Sequence, residues 1–201
     1  MKNYALHYSY KNIGDVILVI FDNAKSATRS ERKDKVTAIY HDDEIIGYNI
    51  FDVKEIVKIK NEGMIFLPSE GLISVINSIL TNEGFESLEL KENSGYFTAE
   101  VADAIELDDN KLFVTAFLGN ECVNGIIKNA SLQTGDKIVV ATVGTYLSNG
   151  EVVKMGNMDG TLLNAHICTN KDLGIKEDED KVLLLDKDIE IGKDFFSMEV
   201  K

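Results

Sequence analysis

The side chains best equipped for catalysis are scattered along this chain. His7, His41 and His166 stand in different segments, and Cys122 and Cys168 are too few and too far apart for a CxxC motif or a disulfide framework. His166 and Cys168 alternate on an extended stretch, so both could face one metal ion, but two ligands need partners that no motif supplies. A surface or barrel histidine beside a buried, reduced thiol is the plainer reading, and no metal is expected. The pair Asp108-Asp109 reads as a turn rather than as a general acid and base. There is no P-loop and no Gly-x-Gly-x-x-Gly fingerprint, so we expect no catalytic residue and no cofactor.

Chemistry of binding has more to work with. Lys25, Arg29, Arg32, Lys33 and Lys35 concentrate positive charge, including both arginines of the chain, around Glu31 and Asp34. Such a basic loop reads either as an accessory phosphate contact or as a solvated surface segment. Phe113, Phe117 and Tyr146 could stack on bases, although Phe113 and Phe117 share one strand face with Thr115 and are expected to pack in a core. Net charge opposes a polyanion: 34 acidic against 21 basic residues give −13. Residues 1–95 carry 11 basic and 15 acidic side chains, and residues 96–201 carry 10 and 19. Any contact with nucleic acid must therefore be local.

These residues need elements to position them. Apolar runs at Tyr4–Tyr10 and Val16–Phe21 predict strands around Gly14-Asp15, and Val36–Tyr40 with Ile45–Phe51 predicts a hairpin about His41-Asp42-Asp43-Glu44. Asp52-x-x-Glu55 has the spacing of a helix cap. After the single proline, Pro68, helical spacing of Leu72, Ile73, Ile76, Ile79 and Leu80 predicts an amphipathic helix ending at Gly84. Polar Lys91 to Gly95 marks a joint, so the expected organisation is an α+β N-terminal domain over 1–95 and an all-β domain over 96–201. Short β runs follow at Tyr96–Ile105, Lys111–Leu118, Cys122–Ile127, Lys137–Val143, Val152–Met155 and Val182–Leu185, which suits a closed barrel with no exposed edges. Thr169-x-x-Asp172 reads as one capped turn, and Glu177-Asp178-Glu179-Asp180 as a solvated acidic run. No run approaches the ~20 apolar residues of a membrane span, and Met1-Lys2-Asn3-Tyr4-Ala5 does not open a signal peptide, so a cytoplasmic protein is expected.

Lys111-Leu112-Phe113-Val114, Gly135 to Gly144, Asn149-Gly150, Met158-Asp159-Gly160 and Ile167-Cys168-Thr169 together resemble, in order and spacing, the tRNA-binding domain shared by several aminoacyl-tRNA synthetases and free-standing proteins. Gly14-Asp15, Gly47 to Phe51 and the helix near 70–82 resemble the domain that precedes it in the bacterial YtpR-type proteins. The resemblance spans the chain and implies an OB-fold barrel with a C-terminal extension, tRNA as partner, contact with the translation machinery, and a homodimer joined through the extension. It implies that Lys111 and Lys154 reach phosphates as flexible point charges. Thr169 stands where the family has a serine near RNA, and its cap spacing explains it as well. Asn129, Ser131 and Asn164 could donate to sugar or base edges, or serve their turns alone. The chain departs from the family at Glu106 to Asn110, which lacks the usual His-Pro, and at Asp159, where an arginine is usual. A degenerate barrel that binds protein instead is the alternative.

Overall fold

Alternation sets the first sheet: Val36, Ala38 and Tyr40 share a buried face of one strand, and Tyr48 and Ile50 that of the next, with the tight turn at Asp42 between them. In the computed structural model, residues 3–59, 62–176 and 179–198 are described. Glu177 and Asp178 of the acidic run lie outside them. The chain divides into two compact units, Met1–Glu92 and Asn93–Lys201.

The first unit contains β1 (Ala5–Tyr8), a short helix α1 (Tyr10–Ile13), β2 (Val16–Ile20), β3 (Arg29–Lys33), β4 (Val36–His41), β5 (Glu44–Phe51), β6 (Gly63–Ile65) and helix α2 (Glu70–Asn82). The six strands form one antiparallel sheet in the order β3-β4-β5-β2-β1-β6. Ser69 caps α2, its Oγ accepting from the Leu72 N–H at 3.3 Å, and Leu72, Ile73, Ile76 and Leu80 bury one stripe against the sheet core. Each such side chain contributes roughly 1.5–3 kcal/mol. Asn77 then holds the chain leaving the helix, donating to the Leu88 carbonyl and accepting from its N–H, both at 2.7 Å.

Two local expectations are corrected. Asp52 precedes a 3-10 turn, Val53–Glu55, but with φ 56° and no cap bond, because the Asp15 carboxylate takes the Lys54 N–H at 3.1 Å. The basic run is not wholly a loop: Arg29–Lys33 is edge strand β3, paired in register Arg29↔Tyr40 to Lys33↔Val36.

The second unit contains β7 (Tyr96–Leu107), β8 (Lys111–Phe117), β9 (Cys122–Lys128), β10 (Lys137–Thr142), the hairpin β11 (Gly156–Met158) and β12 (Thr161–Leu163), and β13 (Ala165–Ile167). Five of these strands form a sheet in the order β13-β10-β7-β8-β9. It curls until β9 and β13 meet, with the Asn164 N–H donating to the Asn124 carbonyl at 3.0 Å, so the sheet is a nearly closed barrel. Val101, Leu112, Val114, Ala116, Ile138 and Ile167 are among the residues that fill it. A bulge between Val101 and Asp103 bends β7. Val152–Met155 and Val182–Leu185 form no ladder and make only single bridges. β13 occupies one edge of β10 from Val140 to Thr142, leaving Lys137 for Leu185.

The C-terminal segment is fastened along β7. Thr98 donates its hydroxyl to the Glu190 carbonyl at 2.8 Å and its N–H to that of Lys193 at 2.9 Å. Asp194 caps the turn Phe195–Ser197 and accepts the Ser94 hydroxyl at 2.9 Å. Among the described residues, no helix is long and apolar enough to cross a membrane.

Candidate nucleic-acid interface

Strand β8 decides which side chains the barrel turns outward. Leu112, Val114 and Ala116 point into the core, so Phe113, Thr115 and Phe117 lie on the outer face. The expectation that both phenylalanines fill the core is corrected for Phe117, which is 37% exposed. Phe113 is buried, yet it stands beside Ile105 and Ile126 on the outer face. Tyr146 is buried, its carbonyl accepting from the Tyr96 hydroxyl at 2.9 Å, and offers no stacking surface.

At one end of this face the register sets Lys111 directly across from Lys128. Lys128 carries no signal of its own in the sequence, because only strand pairing makes it a neighbour of Lys111. The left-handed turn Asp109-Asn110 sits at the same end, and Asn129, also left-handed, donates its N–H to the Asn110 carbonyl at 2.8 Å. Two ammonium groups and an exposed asparagine therefore share one corner with a carboxylate, since Lys111 Nζ lies 3.4 Å from Asp109. Ser131 follows, exposed, beyond the end of β9.

Lys154 is exposed at the other end. The Gly144 N–H donates to Val153 at 2.8 Å, which fixes Lys154 beside the end of β10 that pairs with Tyr96, whereas Lys111 pairs with Leu107 at the far end of β7. At about 3.3 Å per residue, on the order of 35 Å of strand separates the two ends. The outer face of β8 and β9 extends from the Lys111 end as far as Phe117, opposite Glu100 of β7, and the β11–β12 hairpin adjoins it where Asn124 Nδ2 donates to the Leu162 carbonyl at 3.1 Å.

Two of the named polar residues are committed to the fold. Asn164 Oδ1 accepts from the Asn124 N–H at 2.8 Å and helps to close the barrel. Thr169 exchanges bonds with Asp172, whose Oδ2 accepts the Thr169 N–H at 2.9 Å and its hydroxyl at 2.8 Å, while the Asp172 N–H returns to Thr169 Oγ1 at 3.3 Å. His166 Nε2 completes the cluster at 2.9 Å from the same oxygen. Burial raises the Asp172 carboxyl, but the bonds from His166 and Thr169 outweigh it and hold its pKa below 3.8. A depressed carboxylate stabilises the fold above its unfolded pKa and loses that contribution as pH falls through the folded value. Asp172→Asn is thus expected to cost about 1.5–3 kcal/mol at pH 5–6, and its deficit relative to the parent should shrink below pH ~4; urea titrations at each pH measure this. Cys168 is buried with its thiol pushed upward, and among the described residues no group of three or more His, Cys, Asp or Glu could hold a metal.

The basic run in the first unit is anchored by its own neighbours. The Arg29 guanidinium lies 3.6 Å above the Tyr40 ring, Arg32 stacks 4.8 Å from Phe51, and Lys33 Nζ lies 4.6 Å from Phe85 and 3.4 Å from Glu31. Lys25 is paired with Glu44 and Asp22. The Lys35 carbonyl accepts the Phe51 N–H at 2.8 Å. Arg29 and Arg32 fall on opposite faces of β3, so they do not form one patch.

Residues 10–91 match the family described as a domain of unknown function, DUF4479. YtpR of Bacillus subtilis, named as a candidate tRNA-binding protein, is 28% identical over 196 residues, covering 94% of this chain and 97% of its own. The uncharacterised protein MG449 of Mycoplasma genitalium is 23% identical over 96% of this chain and 88% of its own length. The phenylalanine–tRNA ligase beta subunit of Syntrophotalea carbinolica is 29% identical over 80 residues, 40% of this chain and 10% of that subunit. Over nearly its whole length, then, the chain resembles the YtpR-type bacterial tRNA-binding-domain proteins, as the spacing of its framework residues implies.

Proposed function

We propose that this chain is a non-catalytic, cytoplasmic tRNA-binding protein that recognises folded RNA by shape through an OB-fold barrel. The observation that carries the reading is the five-strand order β9-β8-β7-β10-β13 with contact between its end strands, in a chain similar to YtpR along its whole length. OB-folds bind nucleic acid on the face of their second and third strands and on two flanking connections. Those correspond to β8 and β9, the Asp108–Asn110 turn, and the stretch from β10 to β13. Lys111 and Lys128 would meet backbone phosphate at one end and Lys154 at the other, with Asn129 and Ser131 as neutral donors and Phe117 as an apolar contact. Thr169 and Asn164 would act by holding the barrel in shape. Arg29, Arg32, Lys33, Lys25 and Lys35 would supply accessory phosphate contacts, the stacked guanidinium groups presenting in-plane donors, of which Arg32 Nε already donates to the Asp34 carbonyl at 3.3 Å.

The three barrel lysines alone make binding salt-sensitive but shallow, with a log–log slope of about −2 to −3, and engagement of the accessory cations would steepen it. Titration of bulk tRNA at low ionic strength checks this, and retention no greater than that of an unrelated acidic protein would exclude the reading.

A second reading has its own support. Val143, Met155 and Leu162 are large exposed apolar residues around the β10–β13 connection, and acids outnumber bases about twofold in residues 96–201. Such a surface suits protein contact, either as a homodimer or with the translation machinery, with weak or no RNA binding. Light scattering with a pull-down separates the two: a stable protein complex free of RNA favours this one.

A further inference from the structure

The DUF4479-matching unit contains a cleft of about 970 Å³ that shares Lys33 with the proposed accessory phosphate contacts and nothing with the barrel. Its size lies in the range of small-molecule sites, roughly 300–1,000 Å³. Tyr48 on β5 is its anchor, wedged edge-on against Phe21 at 5.6 Å and tilted against Phe85 at 5.3 Å. Tyr40 and Ile45 come from the β4–β5 hairpin, and the Gly84–Glu89 segment, pinned by Asn77, forms the opposite side. Tyr4 closes one end, donating its hydroxyl to the Glu89 carbonyl at 2.7 Å.

The lining is mostly acidic. Asp43, Glu86 and Glu89 contribute exposed carboxylates, Glu44 is already paired with Lys25, and Lys33 supplies the lining's own ammonium. That ammonium is already engaged by Glu31 at 3.4 Å and by the Phe85 ring. Aromatic faces attract cations, and the neighbouring rings already do so within the chain: Arg29 rests on Tyr40, Lys33 on Phe85 and Lys91 on Tyr4. Tyr48 is the exception. It is 98% buried by side-chain packing, since only 2% of its surface is exposed, and its hydroxyl has no hydrogen-bond partner among the described residues. Burial, then the Glu86 charge, pushes that hydroxyl up to about 12, so it stays a neutral group facing a carboxylate.

We propose that this cleft binds a small organic cation, an ammonium or guanidinium compound, whose charge sits among Asp43, Glu86 and Glu89, above the Tyr48 hydroxyl. The Tyr48 oxygen accepts one of its N–H donors. An anion is disfavoured by the carboxylates, and a neutral ligand gains no attraction from them.

The test is a titration of the full-length protein, followed by amide and aromatic NMR, with Nα-acetylated arginine amide and, as its neutral isostere, Nα-acetylated citrulline amide. The expected result is saturable shifts at Tyr40, Tyr48 and Gly84–Glu89 from arginine amide, with citrulline amide at least about tenfold weaker, the cost of one unmatched charged bond. The exposed double change Asp43→Asn, Glu86→Gln should weaken arginine amide by about tenfold, and Tyr48→Phe by a few fold, without altering the barrel's response to tRNA. Equal responses to both amides, tighter binding of inorganic phosphate, or no saturable change would overturn the proposal. None of these outcomes depends on whether the barrel binds RNA.

Discussion

Reversing the two lysines that face each other across β8 and β9, with Lys111→Glu and Lys128→Glu together, is expected to lower tRNA affinity by about a hundredfold at low salt. A hydrogen bond to a charged partner is worth roughly 1.5–3 kcal/mol, and each 1.4 kcal/mol is a factor of ten. Two lost phosphate contacts therefore reach that figure before the added repulsion is counted. A control with the same change in net charge is Lys171→Glu with Lys181→Glu. These lysines are mostly exposed and pair with Asp180 and Glu179 at 3.7 and 3.6 Å, so their loss costs little stability. The control should weaken binding by less than about fivefold, acting only through the screened long-range field. The log–log salt slope should also become shallower by about two in the first variant and hardly change in the second. Filter binding across a salt series reads both quantities. Equal weakening in the two variants would reduce the interface to a general effect of charge and remove the corner from the site.

That corner illustrates what the amino-acid order discloses and what it withholds. Lys111 is conspicuous because it opens an apolar strand after an acidic turn, and the strands β7 to β10 are legible for the same reason. Its neighbour Lys128 lies 17 positions further on and becomes a neighbour only through the β8–β9 register. The distance between Lys111 and Lys154 is hidden in the same way, since it depends on the 12-residue length of β7 and on which end each lysine meets. The outward turn of Phe117 is illegible for a different reason. Lys111–Phe117 is apolar at nearly every position, so alternation does not say which face is the core. Edge strand β3 reads as a polar loop because it has no aliphatic period at all; its cations pack on Tyr40, Phe51 and Phe85 instead. Capping chemistry, being local, is legible at Thr169-Asp172 but misleads at Asp52, where a distant carboxylate, Asp15, takes the Lys54 N–H instead. Strand β13 is only three residues long, too short for a periodic signal, although it closes the barrel.

The closure itself rests on a glycine, and Gly125→Val is expected to cost the second unit about 3 kcal/mol or more, the upper range for overpacking a core. Gly125 sits between the inward residues Val123 and Ile127 of β9, where that strand approaches β13. A Cβ there would stand 2.7 Å from the Ala165 carbonyl oxygen and 3.1 Å from two carbons of Ile167. Ile167 is 1% exposed and can yield only by leaving the core, and the Ala165 oxygen belongs to backbone held in register with Thr142. The two strands must therefore separate, which strains the Asn124–Asn164 bonds that join them. At 4–8 °C per kcal/mol for a domain of this size, the melting transition should fall by roughly 12 °C or more. Gly71 gives the opposite case: it lies in the first turn of α2 with nothing within 4 Å of a built Cβ, so Gly71→Ala should be neutral or stabilise by up to about 1 kcal/mol. Calorimetry of both variants distinguishes a glycine required by contact from one that is merely tolerated. A Gly125→Val protein that melted within a degree or two of its parent would mean that β9 and β13 are not packed as tightly as barrel closure requires, and the face of β8 and β9 would lose the curvature that the proposed contact with RNA requires.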